Sequence, residues 1–285
     1  MSLHDPNYVK QIVQYNEVGI PKLIFQIWIS EDGREMPENW KNSPIEWVKY
    51  HPDYIYVLWD KDNALEFITK YYNEYLDTYI NFKYVVSRCD MLRICILHKF
   101  GGIYSDLDNY PLKSIDEYIK DPTIDTYYPE LKVADTVMIN NNLIISKPDL
   151  PLFPELLEHI KNKTCKYHVN KYSEMREYSC VDKIYEFTQN GKHNIKLLPY
   201  RQFNPYPLGS NKTTVPKSEI VINQTEGGSW YDNETESATF IVSNWIFFTV
   251  LIILIVVFIV VICVIIFYPP ITDESINEKT VSLNS

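Results

Sequence analysis

Glycine is scarce in this chain, 8 residues of 285, and none of it builds a phosphate-wrapping loop. Neither G-x-G-x-x-G nor the lysine-terminated form is present, so a diphosphate bound here has to be neutralised by other means, a metal ion foremost. Cysteine is sparse as well, with 5 copies. Cys89 and Cys95 lie six apart on one predicted helix, too far around and along to bridge, and Cys263 falls in an apolar run. Cys165 and Cys180 can pair in an oxidising compartment or stay free thiols. The six histidines show no zinc-ligand spacing with one another or with cysteine. Basic residues are in deficit, 27 against 37 acidic, and the net charge of −10 excludes a nucleic-acid-binding surface. The first 19 residues contain no apolar core of the kind a cleavable signal peptide needs. No internal repeat or low-complexity tract is apparent. Tyrosine, by contrast, occurs 23 times. Aromatic faces suit a sugar-handling cleft, and such enrichment also follows from nucleotide bias in a genome.

One long apolar run is present. Trp245–Tyr268 contains no charged residue, and its 22-residue core Ile246–Phe267 makes a helix of about 33 Å, the thickness of a hydrocarbon core. Trp245 and Tyr268 bracket it where amphipathic aromatics favour the headgroup zone. The layout reads as a polar leader (1–19), a catalytic-size domain (20–230), a polar stalk (231–244), the span (245–268) and a short polar tail (269–285). The span's late position resembles a tail anchor with a cytosolic domain. Four sequons, at Asn162, Asn211, Asn223 and Asn233, point to a lumenal one, and the charges flanking the span favour neither side.

The most informative stretch is 84–110, YVVSRCDMLRICILHKFGGIYSDLDNY. Val85, Cys89, Leu92 and Ile96 follow helical spacing, and Gly101 suits the position just past a helix end. Asp90 and Arg93 share one face of that helix. Ile103 and Tyr104 then form a short strand that delivers Asp106 and Asp108 to the carboxyl end of a sheet. On an extended chain the two carboxylates fall on the same side, with Leu107 pointing away, a donor pair suited to a hard divalent cation. Ligands of open α/β sheets sit in the crevice outside those strand ends.

These residues, Arg88-Cys-Asp90-Met-Leu-Arg93, Gly101-Gly102-Ile-Tyr104 and Asp106-Leu-Asp108, resemble glycosyltransferase family 32, the Asp-x-Asp sugar-binding group that includes inositol-phosphorylceramide mannosyltransferases. Upstream, Ile20–Trp28, Pro37–Trp40, Ser43, Trp47 and Pro52–Trp59 are similar to its opening strand, helix and second strand. Downstream, Asn141–Pro148 and Gly228-Ser229-Trp230 come in the family's order, so the resemblance covers about residues 20–230. It implies an α/β fold, the Rossmann-like glycosyltransferase A fold with a mostly parallel sheet, here followed by one C-terminal transmembrane helix.

The resemblance also implies roles. Trp28 would stack near the nucleotide base, with Gln26 on the same wall. Asp90 and Arg93 would hold donor-sugar hydroxyls. Asp106 would contact the ribose or the metal, and Asp108 would be the direct ligand of Mn²⁺ or Mg²⁺. Ser229 and Trp230 would close over the diphosphate. The expected partners are a nucleotide-sugar donor (GDP-mannose or a UDP-hexose), a lipid or glycan acceptor and the bilayer, in a Golgi- or ER-type membrane. The expected reaction is retaining hexosyl transfer. Three positions depart from the family pattern. Phe25 and Gln224 stand where histidines are usual, and no Gly-Pro pair occurs around 178–183. A domain that keeps the fold for binding or scaffolding, without catalysis, is the alternative reading. The 14 residues between Trp230 and Trp245 reach roughly 50 Å at most, so the cleft is expected to work near the bilayer.

Overall fold

Leu23–Ile27 is apolar at four of five positions and buried at all five, which is how a strand reads when both of its faces are covered. This is β1 of the computed structural model, which describes residues 2–31, 33–133, 136–163, 171–207, 212–225 and 244–267. Before it comes α1 (Pro6–Ile12), whose cap residue Asp5 accepts from the Asn7 amide. After it, α2 (Ser43–Tyr50) crosses to β2 (Ile55–Trp59), which pairs parallel with β1 along its full length. Helices α3 (Lys61–Tyr71), α4 (Leu76–Ile80) and α5 (Val85–Phe100) then lead back to β3 (Gly102–Ser105), parallel to β1 on its other edge.

The rest of the domain adds β4 (Asn109–Pro111), β5 (Thr126–Val133), β6 (Thr136–Ile139) and β7 (Leu143–Ser146). Helices α6 (Leu152–Lys163), α7 (Lys171–Tyr178) and α8 (Val181–Asn190) follow, then β8 (Ile195–Leu198), α9 (Tyr200–Phe203) and β9 (Ile222–Gln224). The main sheet runs β2-β1-β3-β7-β5-β6, with β8 also on β5. Its parallel half, β2-β1-β3, carries the site, while β7 enters antiparallel beside β3. A second small sheet pairs β4 with β9.

Alternation along β1 divides the interior in two. Leu23, Phe25 and Ile27 join α3, α5 and α6 in one core, and Ile24 joins Trp47, Ile115, Tyr127 and Phe203 in the other. Helix α5 is buried nearly all round, from Ser87 to Phe100, and ends at Gly101 with φ +63°. Gly102, at φ +93°, is packed so tightly that an added Cβ would lie 2.8 Å from the Leu23 carbonyl oxygen. The Gly-Gly pair therefore sets both the helix stop and the approach of β3 to β1.

The α/β expectation holds, with local differences. The helix read from the Val85–Ile96 stripe is preceded by a separate one, since α4 ends at Ile80 and α5 begins only at Val85. Between α7 and α8 the helical path is broken at Cys180, which takes φ +58°. Strands β5 and β9 are additions to the sequence reading. The unit made of Met1–Thr239 is followed by a second, Phe240–Ser285, which contains α10 (Trp245–Phe267). Among the described residues, α10 is the one helix long and apolar enough to cross a membrane.

Candidate active site

Strand β3 ends at Ser105, and Asp106–Asn109 form a turn closed by the Asn109 amide donating to the Asp106 carbonyl at 3.1 Å. This corrects the extended-strand geometry expected for the pair. Asp106 and Asp108 occupy the first and third positions of a turn joining β3 to β4, with the buried Leu107 between them. The turn is held from two sides. The Asp106 amide donates to the Asn142 carbonyl (2.8 Å), and the Thr225 amide, just past β9, donates to the Asp108 carbonyl (2.8 Å).

Both carboxylates line a cleft of about 410 Å³, together with Trp28, Trp40, Tyr84 and Arg93. Trp28 is partly exposed and meets Trp40 edge-on, with ring centroids 5.9 Å apart. The two indoles give this wall of the cleft an aromatic face.

Arg93 is the electrostatic centre. Its guanidinium pairs with Asp90 (2.9 Å) and Asp106 (3.3 Å), donates to the Asn141 carbonyl (2.8 Å) and lies 4.5 Å from the centroid of the Tyr104 ring. The Tyr104 hydroxyl in turn donates to Asp106 Oδ1 at 2.6 Å. One cation thus fixes two acids from opposite sides. Asp90, expected at the donor sugar, is 4% exposed and stands behind Arg93, its Oδ1 also accepting from the Asn141 amide at 3.0 Å. The helical i,i+3 spacing that sequence exposes puts the pair together without saying which member faces the cleft, and here it is Arg93. Gln26, expected on the nucleotide wall, is likewise displaced. It is fully buried beneath the turn, with its amide spent on Ser43, Tyr56 and the Asp106 carbonyl. Ser229 and Trp230 lie outside the described residues.

Burial dominates the protonation of the three acids. It pushes Asp90 up to about 6, with the Arg93 charge opposing it. It also raises Asp106, again against Arg93. Asp108 is pushed up to about 7, first by burial and then by the Asp106 carboxylate. Asp108 Oδ1 is buried with no hydrogen-bond partner. An acidic oxygen left in that condition is costly unless something positive meets it. The donor chemistry, two carboxylates and no nitrogen or sulfur, fits Mn²⁺ or Mg²⁺. Among the described residues no third His, Cys, Asp or Glu joins them. Water and ligand oxygens would have to fill the remaining positions of such an ion, as is usual for ions held by one or two carboxylates plus phosphates.

Sequence reasoning assigned no role to Tyr104 or Asn141, although both stand in its motifs. Tyr104 lies two residues before Asp106, hence on the same side of β3, and that spacing was a usable signal. Asn141 comes from a strand-loop far along the chain, and only the fold shows it reaching Asp90.

The sequence profile described as "Glycosyltransferase sugar-binding region containing DXD motif" matches residues 37–126, the segment that holds α2, β2, Arg93 and the Asp106–Asp108 turn. Residues 37–126 of this chain are similar to that region. Residues of the chain are 35% identical over 153 positions to a mannosyl phosphorylinositol ceramide synthase of Saccharomyces cerevisiae, covering 54% of the chain and 36% of that protein. An inositol phosphoceramide mannosyltransferase of Schizosaccharomyces pombe is 26% identical over 248 positions, 87% of the chain and 66% of its own length. An uncharacterized glycosyltransferase of Acanthamoeba polyphaga mimivirus is 26% identical over 81% of the chain and 92% of itself. The chain thus spans between about a third and two thirds of the two yeast relatives. In the sugar-binding region, the motif's two acids are Asp106 and Asp108, and the Arg93 cluster backs them.

Proposed function

We propose that this chain is a membrane-anchored, metal-dependent retaining glycosyltransferase that moves a hexose from a nucleotide sugar to a membrane-associated acceptor. The observation carrying the reading is the unpartnered Asp108 carboxylate oxygen beside Asp106, in a cleft that also holds an aromatic platform. The names of the relatives favour mannose from GDP-mannose over a UDP-hexose, and an inositol-phosphoceramide-type lipid over a soluble sugar. The apolar helix α10 supports a membrane location, of the Golgi or ER type on the family resemblance.

The residues divide the work. Trp28 stacks on the base. Asp106 and Asp108 would hold the cation, which would supply positive charge to offset that of the departing diphosphate. Arg93, kept rigid by Asp90, Asn141 and Tyr104, presents its guanidinium edge to the donor. In the transfer, the bond from the anomeric carbon to the diphosphate breaks as the bond to the acceptor oxygen forms on the same face. The acceptor proton leaves to the diphosphate, so no protein nucleophile is assigned.

The test is a donor panel of GDP-mannose, UDP-galactose and UDP-glucose with Mn²⁺ and inositol phosphoceramide, using the purified full chain in detergent. Asp108→Ala is expected to lower transfer about a hundredfold or more, the scale of a lost charge-stabilising contact. Equal turnover by that variant would remove the metal role. Absence of any Mn²⁺-dependent nucleotide binding by the wild-type chain would favour the non-catalytic alternative.

A further inference from the structure

A glutamine in the middle of a core strand is an expense that packing does not require. Gln26 is fully buried on β1, between the apolar positions Phe25 and Ile27. Its hydrogen bonds have a direction that can be assigned from their partners alone. The Ser43 hydroxyl donates to the Asn109 carbonyl, so it must accept from Gln26, whose Nε2 lies 2.9 Å away. The Asp106 carbonyl can only accept, and the same Nε2 lies 3.0 Å from it. The amide oxygen is thereby left to accept from the Tyr56 hydroxyl at 2.8 Å. Every donor in the chain Tyr56 to Gln26 to Ser43 points towards the same four residues.

Those four residues are the Asp106–Asn109 turn, and the network holds both of its ends. Gln26 takes the carbonyl of its first residue and, through Ser43, the carbonyl of its last. The Trp47 indole N–H adds a weaker donor to the Asn109 carbonyl at 3.3 Å. Nothing in the network touches the cleft: Gln26, Ser43 and Tyr56 are absent from its lining. What they bracket is Asp108, whose own carboxylate has no such restraint on Oδ1.

We infer that Gln26 is a positioning residue, which fixes the Asp106–Asn109 turn from below and so sets where the Asp108 carboxylate meets its cation. The inference rests on the glycosyltransferase reading of that carboxylate pair. Gln26→Glu keeps the shape of the side chain and replaces the essential donor with an acceptor facing the Asp106 carbonyl. Tyr56→Phe leaves both Gln26 donors in place.

The experiment compares these variants with the wild-type full chain in detergent by peptide-level hydrogen exchange and by GDP titration with Mn²⁺ or EDTA. With Gln26→Glu, exchange in the segment 104–112 should accelerate about tenfold or more, while the peptides covering β1 and β2 keep wild-type protection. Mn²⁺-supported GDP affinity should fall about tenfold, and Tyr56→Phe should shift both readouts less. Unchanged exchange at the turn, or equal loosening of the turn and the strands, would overturn the positioning role. A wild-type chain that binds no GDP with Mn²⁺ would overturn the glycosyltransferase reading instead, and the exchange measurement would still decide whether Gln26 fixes the turn.

Discussion

At Asp108, burial and the neighbouring Asp106 carboxylate raise the side chain to about 7, so near neutral pH a large fraction of it is protonated before any cation arrives. A cation needs the carboxylate, and its binding releases that proton. With a pKa near 7, the apparent affinity for Mn²⁺ should improve about tenfold between pH 6 and pH 8 and then level off, with roughly one proton released per ion at the lower pH. Isothermal titration in two buffers of different ionisation enthalpy reads both quantities. The sign is set by the raised pKa. The folded chain holds the Asp108 proton more tightly than the unfolded one, so in the absence of metal this acid costs stability as pH rises from the ordinary 3.8 towards 7, and Asp106, also raised by burial, acts in the same direction. The thermal shift given by Mn²⁺ should therefore be larger at pH 8 than at pH 6. A shift that shrinks with rising pH would contradict the burial described for Asp108.

Between the elements, one tight constraint is the contact of Gly102 with Leu23. A Cβ there would sit 2.8 Å from the Leu23 carbonyl and 2.9 Å from its Cβ, on a backbone at φ +93° that disfavours any side chain. Gly102→Ala is expected to destabilise the domain by about 2 kcal/mol or more, read by urea unfolding, because β3 must back away from β1. The sequence showed this strand well. The Gly-Gly break, the apolar Ile103-Tyr104 pair and the helical stripe from Val85 to Ile96 all report local rules, and each element formed where those rules placed it. It was silent about β9, because Ile222–Gln224 has two polar residues in three and its partner β4 lies 113 residues earlier at the Tyr110–Asn223 pair. It missed β5, where Pro129 interrupts an otherwise strand-like run. The site followed the same division. Asp106 and Asp108 were legible by spacing and Trp28 only through the family resemblance, whereas the places of Asp90 and Gln26 behind and beneath the cleft depend on packing that no local pattern encodes.

For the molecule as a whole, α10 provides 23 residues without a charge. At its midpoint, Val256→Arg is expected to oppose insertion by about 3 kcal/mol. The wild-type chain should remain with membranes after alkaline carbonate extraction, and the variant should pass in part to the supernatant. Full retention of the variant would mean that something other than this helix holds the protein.

The β4–β9 ladder has a mechanical consequence. Thr225, the residue just past β9, is tied by its amide and hydroxyl to the Asp108 carbonyl. Tension applied at Thr225 would therefore load this tie and the three residue pairs of the ladder before any strand of the main sheet. Asp108 is the terminal fastening of this short ladder, so a pull there would be felt at the Asp106–Asn109 turn before it reached the β2-β1-β3 framework.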